Sequence, residues 1–338
     1  MTGSEVHQYG GRMDPGRQVD GGDIDELELL TRPGREDDLR TFLLLLHPAD
    51  VAELLGHVHE HTALAILRHL DPERAADMVS ELEPFDQERI LGLVKPEELG
   101  PIVGEMETDD AADLLQELDQ HTAQQVLATL PSDDRKDVAQ LLTYDPESAG
   151  GLMQTELVFV PTSATVGDAV EAVREVAAAV DIISVFVVDE DGKYAGNLAL
   201  QDLVLSTERT PVAQIMEAKI VDVPPSLDQE EVAKIFDRYS LVELAVVDNN
   251  GKLLGRITAD DVHEVLVEEA EEDLLKMAGT AAEPDIIYSG NVFQVVGQRL
   301  PWLMSTFFAG LLASYILQAA ETIFETAMVL LMFVPVIT

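Results

Sequence analysis

From His47 onward the apolar residues of this chain recur with a period of 12. The units open at His47, His59, Asp71, Glu83, Lys95, Glu107, Asp119 and Pro131. Position 8 of each unit is apolar throughout: Leu54, Ile66, Met78, Ile90, Ile102, Leu114, Val126 and Val138. So is position 12, from Val58 and Leu70 to Leu130 and Leu142, and position 9 follows with Ala139 its one small member. Positions 8, 9 and 12 stand as i, i+1 and i+4, which is one stripe of a helix. Pro48, Pro72, Pro84 and Pro96 fall at position 2, where the first helical residue tolerates proline. Each unit therefore predicts a helix of about two turns, and the set predicts a stacked superhelical solenoid. Upstream, residues 23–46 predict a single helix ending in the run Phe42–Leu46. Residues 1–22, rich in Gly, Asp and Arg without an apolar stretch, predict a disordered tail rather than a signal peptide.

The segment Tyr144–Gly151 (YDPESAGG) breaks the 12-residue pattern, and a longer repeat follows. Phe186–Lys193 (FVVDEDGK) returns 59 residues later as Ala245–Lys252 (AVVDNNGK), and Gly196–Leu203 returns as Gly255–Val262 at the same offset. Each unit predicts strand, helix, strand, tight turn, strand, helix, opened by Val160-Pro161 and Val223-Pro224. Residues 262–278 predict a long acidic helix carrying Glu264, Glu268, Glu269, Glu271, Glu272 and Asp273. Leu300–Ala320 then runs without a charge, long enough to predict a membrane span. A second apolar run, Thr326–Thr338, is shorter than a span, so the pattern predicts a truncated chain, a broken gene or half of a split protein.

Charge narrows the function. Lys and Arg total 21 against 64 Asp and Glu, a formal net charge of −43, at a mean hydropathy of +0.08. Nucleic acid is excluded as a partner, because phosphate recognition needs a basic face. The chain attracts cations and repels itself until they screen it, although a spread of surface acids is also found in proteins of salt-loving organisms. Cysteine is absent, which excludes disulfides, thiolate metal sites and cysteine nucleophiles. No catalytic triad, phosphate loop or HExxH motif is present, so the chain reads as a non-enzyme. His57, His59 and His61 (HVHEH) straddle a repeat boundary and read as helix-end and surface histidines.

Order and motifs together resemble the MgtE-type magnesium transporters and channels. The matching segments are SAGGLMQTE (148–156), AQIMEAKIVDV (213–223), DQEEVA (228–233), DDVHEVL (260–266), EAEED (269–273) and YILQAAETIFE (315–325). The resemblance implies a multidomain α plus α/β protein. Its parts would be a disordered tail (1–22), a helical-repeat solenoid (23–143), tandem CBS domains (144–208 and 209–265), an acidic connecting or plug helix with its linker (266–298), and a first transmembrane helix with part of a second (299–338). It implies a homodimer in the cytoplasmic membrane bilayer, residues 1–298 in the cytosol, with Mg²⁺ bridging acidic faces to close the pore. The alternative is a stand-alone Mg²⁺ or nucleotide sensor serving a separate pore-forming chain.

Carried over from the family, the metal ligands fall on Asp77, Asp109, Asp113, the carbonyl of Gly150, Asp228, Glu230, Asp261, Glu264, Glu269, Glu272 and Asp273. Ser240 stands where a relative has an acidic ligand. For ATP, Asp202 matches the acid that holds a nucleotide ribose, but Gln201 stands where a basic residue would assist phosphate and Leu241 where an aromatic platform would lie.

Overall fold

The computed structural model describes residues 21–176, 182–219 and 221–277, and beyond them 296–297, 300–301, 303–316 and 318. The expected tail is therefore outside the described residues except for Gly21 and Gly22, which already belong to a helix. The stretch predicted as one helix is two: α1 (Gly21–Leu30) and α2 (Glu36–Leu45). Pro33-Gly34 divides them, Gly34 adopting a φ of 89° that an L side chain resists.

The eight 12-residue units fold as eight helices, each starting at position 2 of its unit: α3 (Pro48–His57), α4 (Glu60–Leu67), α5 (Pro72–Ser80), α6 (Pro84–Leu91), α7 (Pro96–Val103), α8 (Thr108–Glu117), α9 (Gln120–Thr129) and α10 (Ser132–Leu141). Position 8 is buried in all of them, from Leu54 to Val138. Helices pack chiefly on their second neighbours, α3 on α5, α5 on α7, α7 on α9, and α8 on α10. That alternation turns the linear repeat into a superhelix. Arginines close helix ends across the stack. Arg89 of α6 donates to the carbonyls of Leu55 at 3.0 Å and Val58 at 3.3 Å, satisfying the end of α3. Arg74 of α5 reaches the carbonyl of Leu46 after α2.

Two α/β repeats follow. The first contains β1 (Phe159–Pro161), α11 (Val166–Val176), β2 (Ser184–Val188), β3 (Tyr194–Ala199), α12 (Leu200–Leu205) and β4 (Glu217–Ala218). Its sheet runs β1-β2-β3-β4, with β1 parallel to β2 and the other pairs antiparallel. The second contains β5 (Asp222–Val223), α13 (Gln229–Tyr239), β6 (Glu243–Val247), β7 (Leu253–Thr258) and α14 (Ala259–Met277), with sheet order β5-β6-β7. Strands β2 and β6 are buried along their whole length, as their Val-rich runs predict. Both β2–β3 and β6–β7 turns need a glycine, Gly192 at φ 78° and Gly251 at φ 82°. The two repeats meet there, Tyr194 N donating to Gly251 O at 2.9 Å.

The chain divides into two compact units, one through Leu266 and one from Val267. The acidic helix begins earlier than predicted, at Ala259, and runs unbroken to Met277 across that division. Among the described residues no helix is long and apolar enough to cross a membrane. The expected span 300–320 falls only partly on described residues; within it, 303–316 is helical with exposed side chains such as Phe307, Phe308 and Leu312.

Candidate metal site

The loop after the helical repeat docks onto the second α/β repeat by backbone bonds. Ala149 N donates to Leu227 O at 2.7 Å, Gly150 N to Pro225 O at 2.8 Å, and Gln229 N to Glu147 O at 3.0 Å. Gly150 and Gly151 are buried, and a Cβ on Gly150 would stand 2.6 Å from the Tyr144 ring. The AGGLM glycines are thus needed for close packing whatever the Gly150 carbonyl binds. The same loop also bonds Glu107 and Thr108 at the start of α8, which puts Asp109 within electrostatic range of Asp261 at the start of α14.

Asp109 lies in the first turn of α8 and is 5% exposed. Its Oδ1 is buried and accepts no hydrogen bond among the described residues. Burial, then the negative charges of Asp261, Asp110 and Glu107, hold its carboxyl well above the usual range. Asp261, in the first turn of α14, accepts from Thr258 N at 3.0 Å and Thr258 Oγ1 at 2.5 Å. Burial still raises its carboxyl, and Asp260 and Asp110 add to the rise. Asp110 is raised chiefly by burial, against a bond from the Ser80 hydroxyl. Glu107 is pushed up to about 7 by burial, Asp110, Asp261 and Glu156. Carboxylates from the helical repeat and from the second α/β repeat therefore crowd one buried locus, where ionisation is costly without a cation.

The other expected ligands take different places. Asp77 is exposed on α5, one turn before Ser80 and so on the side of α5 facing Asp110. Asp113 is exposed on α8, one turn beyond Asp109. Asp228 caps α13, accepting from Glu230 N at 3.0 Å, and bridges to Ser148 of the AGGLM loop. Glu230 is exposed and pairs with Lys234 at 3.1 Å. Glu264 is exposed on α14; Glu269 is half-buried on the part of that helix belonging to the second unit. The side chains of Glu272 and Asp273 lie outside the described residues. Asp202 is half-buried in the first turn of α12. Ser240 ends α13 in the left-handed conformation at φ 52°. His59 and His61 stack with ring centroids 5.8 Å apart, and His57 Nδ1 lies 2.8 Å from Glu53 O.

Glu107, Asp110, Asp260 and Glu156 were not singled out by the sequence. Glu107 opens a repeat unit where Lys95 and Asp119 also stand, so its spacing carries no sign that it turns inward. An all-oxygen donor set suits a hard divalent cation, and Mg²⁺ keeps several waters and needs only one or two carboxylates. The orphan Oδ1 of Asp109 fits such an ion. Among the described residues no group of three or more His, Asp and Glu side chains is placed to hold an ion as it stands.

A family model for the MgtE intracellular N domain matches residues 46–147, and one for the CBS domain matches residues 149–206 and 212–268. The magnesium transporter MgtE of Bacillus subtilis is 30% identical over 311 residues, covering 92% of this chain and 68% of that protein. The chain belongs to the MgtE magnesium transporter family. MgtE of Thermus thermophilus is 40% identical over 206 residues, covering 60% of this chain and 45% of the relative. This MgtE-family chain thus spans about half to two thirds of the curated relatives it matches. A solved structure described as the cytosolic domain of the Mg²⁺ channel MgtE in complex with ATP aligns with TM-score 0.68 at 35% identity, covering 72% of this chain and 99% of that one. The helical N-terminal domain and the CBS pair are those of the family, whose members are transporters and not enzymes.

Proposed function

We propose that this chain serves magnesium transport across the cytoplasmic membrane, as the cytosolic Mg²⁺-sensing gate of a homodimeric channel. The observation carrying this reading is buried Asp109, its Oδ1 left without a hydrogen-bond partner and its carboxyl raised by burial and by the charge of Asp261 from the other domain. An ion there would be held by Asp109 and Asp261, with Asp77 and Asp113 on adjacent turns. Binding only the closed arrangement, it would stabilise that arrangement by mass action. The carboxylates of α14 (Glu264, Glu269, Glu272 and Asp273) and those near the AGGLM loop (Asp228 and Glu230, with the Gly150 carbonyl) form the further acidic faces of the gate. Residues 300–320 are the first membrane span in this reading, supported by their uncharged sequence. ATP is a second ligand. It is supported by the ATP-bound relative and by Asp202, and weakened by Gln201 and Leu241.

The test is limited proteolysis of the full chain in Mg²⁺ against chelator at matched ionic strength. Mg²⁺ should protect the segment 144–158 between the helical repeat and the CBS pair. Asp109→Asn with Asp261→Asn should abolish the dependence of cleavage on Mg²⁺. Equal cleavage of the native chain with and without Mg²⁺ would refute the sensing role.

A further inference from the structure

Residues 154–156 lie between the two elements that carry the acidic pair. On one side Gln154 exchanges backbone bonds with Arg256 of β7. Gln154 N donates to Arg256 O at 2.7 Å, and Arg256 N to Gln154 O at 3.0 Å. Two residues after Arg256, Thr258 holds Asp261 through its N–H and hydroxyl. On the other side Gln154 Nε2 donates to Glu107 Oε2 at 2.7 Å. Thr108 Oγ1 donates to Glu156 Oε2 at 2.7 Å and accepts from Thr155 N at 2.9 Å. Thr108 is buried, opens α8, and immediately precedes Asp109. Three consecutive residues thus tie the strand leading into Asp261 to the helix end bearing Asp109.

We propose that Thr108, with Gln154 and Glu156, is a positioning element that fixes the separation of Asp109 and Asp261 for the cation. This rests on the Mg²⁺ reading of that pair. Two carboxylates on different domains bind a shared ion only as well as their spacing is held in advance, and mutating outer groups that orient ligands costs metal affinity. The Thr108 hydroxyl is donor and acceptor at once, so it fastens Glu156 and the Thr155 backbone together. Valine has the same shape and neither capacity.

The experiment measures the Mg²⁺ midpoint of protease protection in the full chain, with Mg²⁺ alone as titrant. Thr108→Val should raise the midpoint about tenfold. Thr108→Ser, which keeps the hydroxyl, should restore it to within about twofold. Against an Asp109→Asn background Thr108→Val should add nothing, because it acts through that ligand. A shift undiminished in the double variant, or no shift in Thr108→Val while the native chain responds, overturns the inference and leaves the Mg²⁺ reading standing. A native chain that does not respond overturns both. If Thr108→Val unfolds in chelator, Gln154→Ala removes only the side-chain tie to Glu107. It should raise the midpoint several-fold, and an unchanged midpoint there also overturns the inference.

Discussion

Glu107→Gln isolates the electrostatic cost of the acidic locus. Glutamine keeps the volume and an oxygen to accept from Gln154 Nε2, so the 2.7 Å bond can survive. Only the charge is removed. Burial and the neighbouring Asp110, Asp261 and Glu156 raise the Glu107 carboxyl from 4.5 to about 7. That difference is worth roughly 3 kcal/mol between the two protonation states. The side chain is only half-buried, so solvent screening reduces the effect to about 2 kcal/mol. Because the folded pKa exceeds the unfolded one, the folded chain binds more protons between pH 4.5 and about 7. The penalty is absent below that window, grows through it, and is complete above it. In chelator the native chain should therefore lose about 2 kcal/mol from this group as pH rises to about 8, and Glu107→Gln should not. Urea midpoints of both proteins at about pH 4.5 and about pH 8 measure it. The variant should be the more stable at the higher pH and indistinguishable at the lower. Saturating Mg²⁺ should narrow the gap by stabilising the native chain. A variant less stable than the native chain at the higher pH, or more stable by the same amount at both, would show that Glu107 is not held in an ionisation-averse site.

Glu269→Ala, Glu272→Ala and Asp273→Ala together should weaken the Mg²⁺ response while changing metal-free stability by no more than about 0.5 kcal/mol per site; full protection by Mg²⁺ in the triple variant would remove these three residues from the gate. Gly151→Ala places a Cβ 2.7 Å from the Asp145 carbonyl oxygen in the docked loop. It should cost about 1–3 kcal/mol in thermal or urea unfolding. Arg89→Met keeps the aliphatic stem but strips donors from the carbonyls of Leu55 and Val58 and from Asp86. A loss of about 3 kcal/mol is expected, and an unchanged urea midpoint would show that these carbonyls find water instead.

The helical repeat was legible because its signal is local and recurs eight times. Most units state their own start with a capping residue or proline, and every unit its own buried stripe. The strands β2 and β6 were legible for the same reason, their runs being copied at an offset of 59. The division of residues 23–46 lies in Pro33-Gly34 and not in the apolar run Phe42–Leu46 on which the single-helix reading rests: a proline followed by a glycine at φ 89° stops a helix more surely than apolar residues sustain one. Arg74 and Arg89 were illegible as caps because their carbonyl partners lie some thirty residues back in the chain, beyond any repeat unit. Asp109 and Asp261 entered only through the family resemblance. Glu107, Gln154 and Glu156 were invisible because their bonds span 47 and 48 residues and join segments with different periodicities.

A net charge of −43 taken alone does not distinguish a metal sensor from a chain adapted to salt, but two sets of its acids differ physically. One set is solvated and stabilised as anions. The Thr122 hydroxyl holds Asp119 below the usual range, Lys136 does so for Asp133, and backbone N–H groups do so for Asp168 and Asp248. Such groups neither need nor select a divalent ion, and dilute monovalent salt screens them over a Debye length of about 10 Å. Glu107, Asp109, Asp110 and Asp261 are raised instead, with burial the first cause in each. Bulk salt acts most weakly on Asp109, the one of the four that is fully buried. Relief must come from protonation, from separation of the two domains, or from a cation bound in direct reach of the oxygens. Rising pH opposes the first, and in the proposed reading the second is the open gate. In the proposed reading a divalent cation supplies the third, and this locus of raised carboxylates, rather than the excess of acids along the chain, is where it would act.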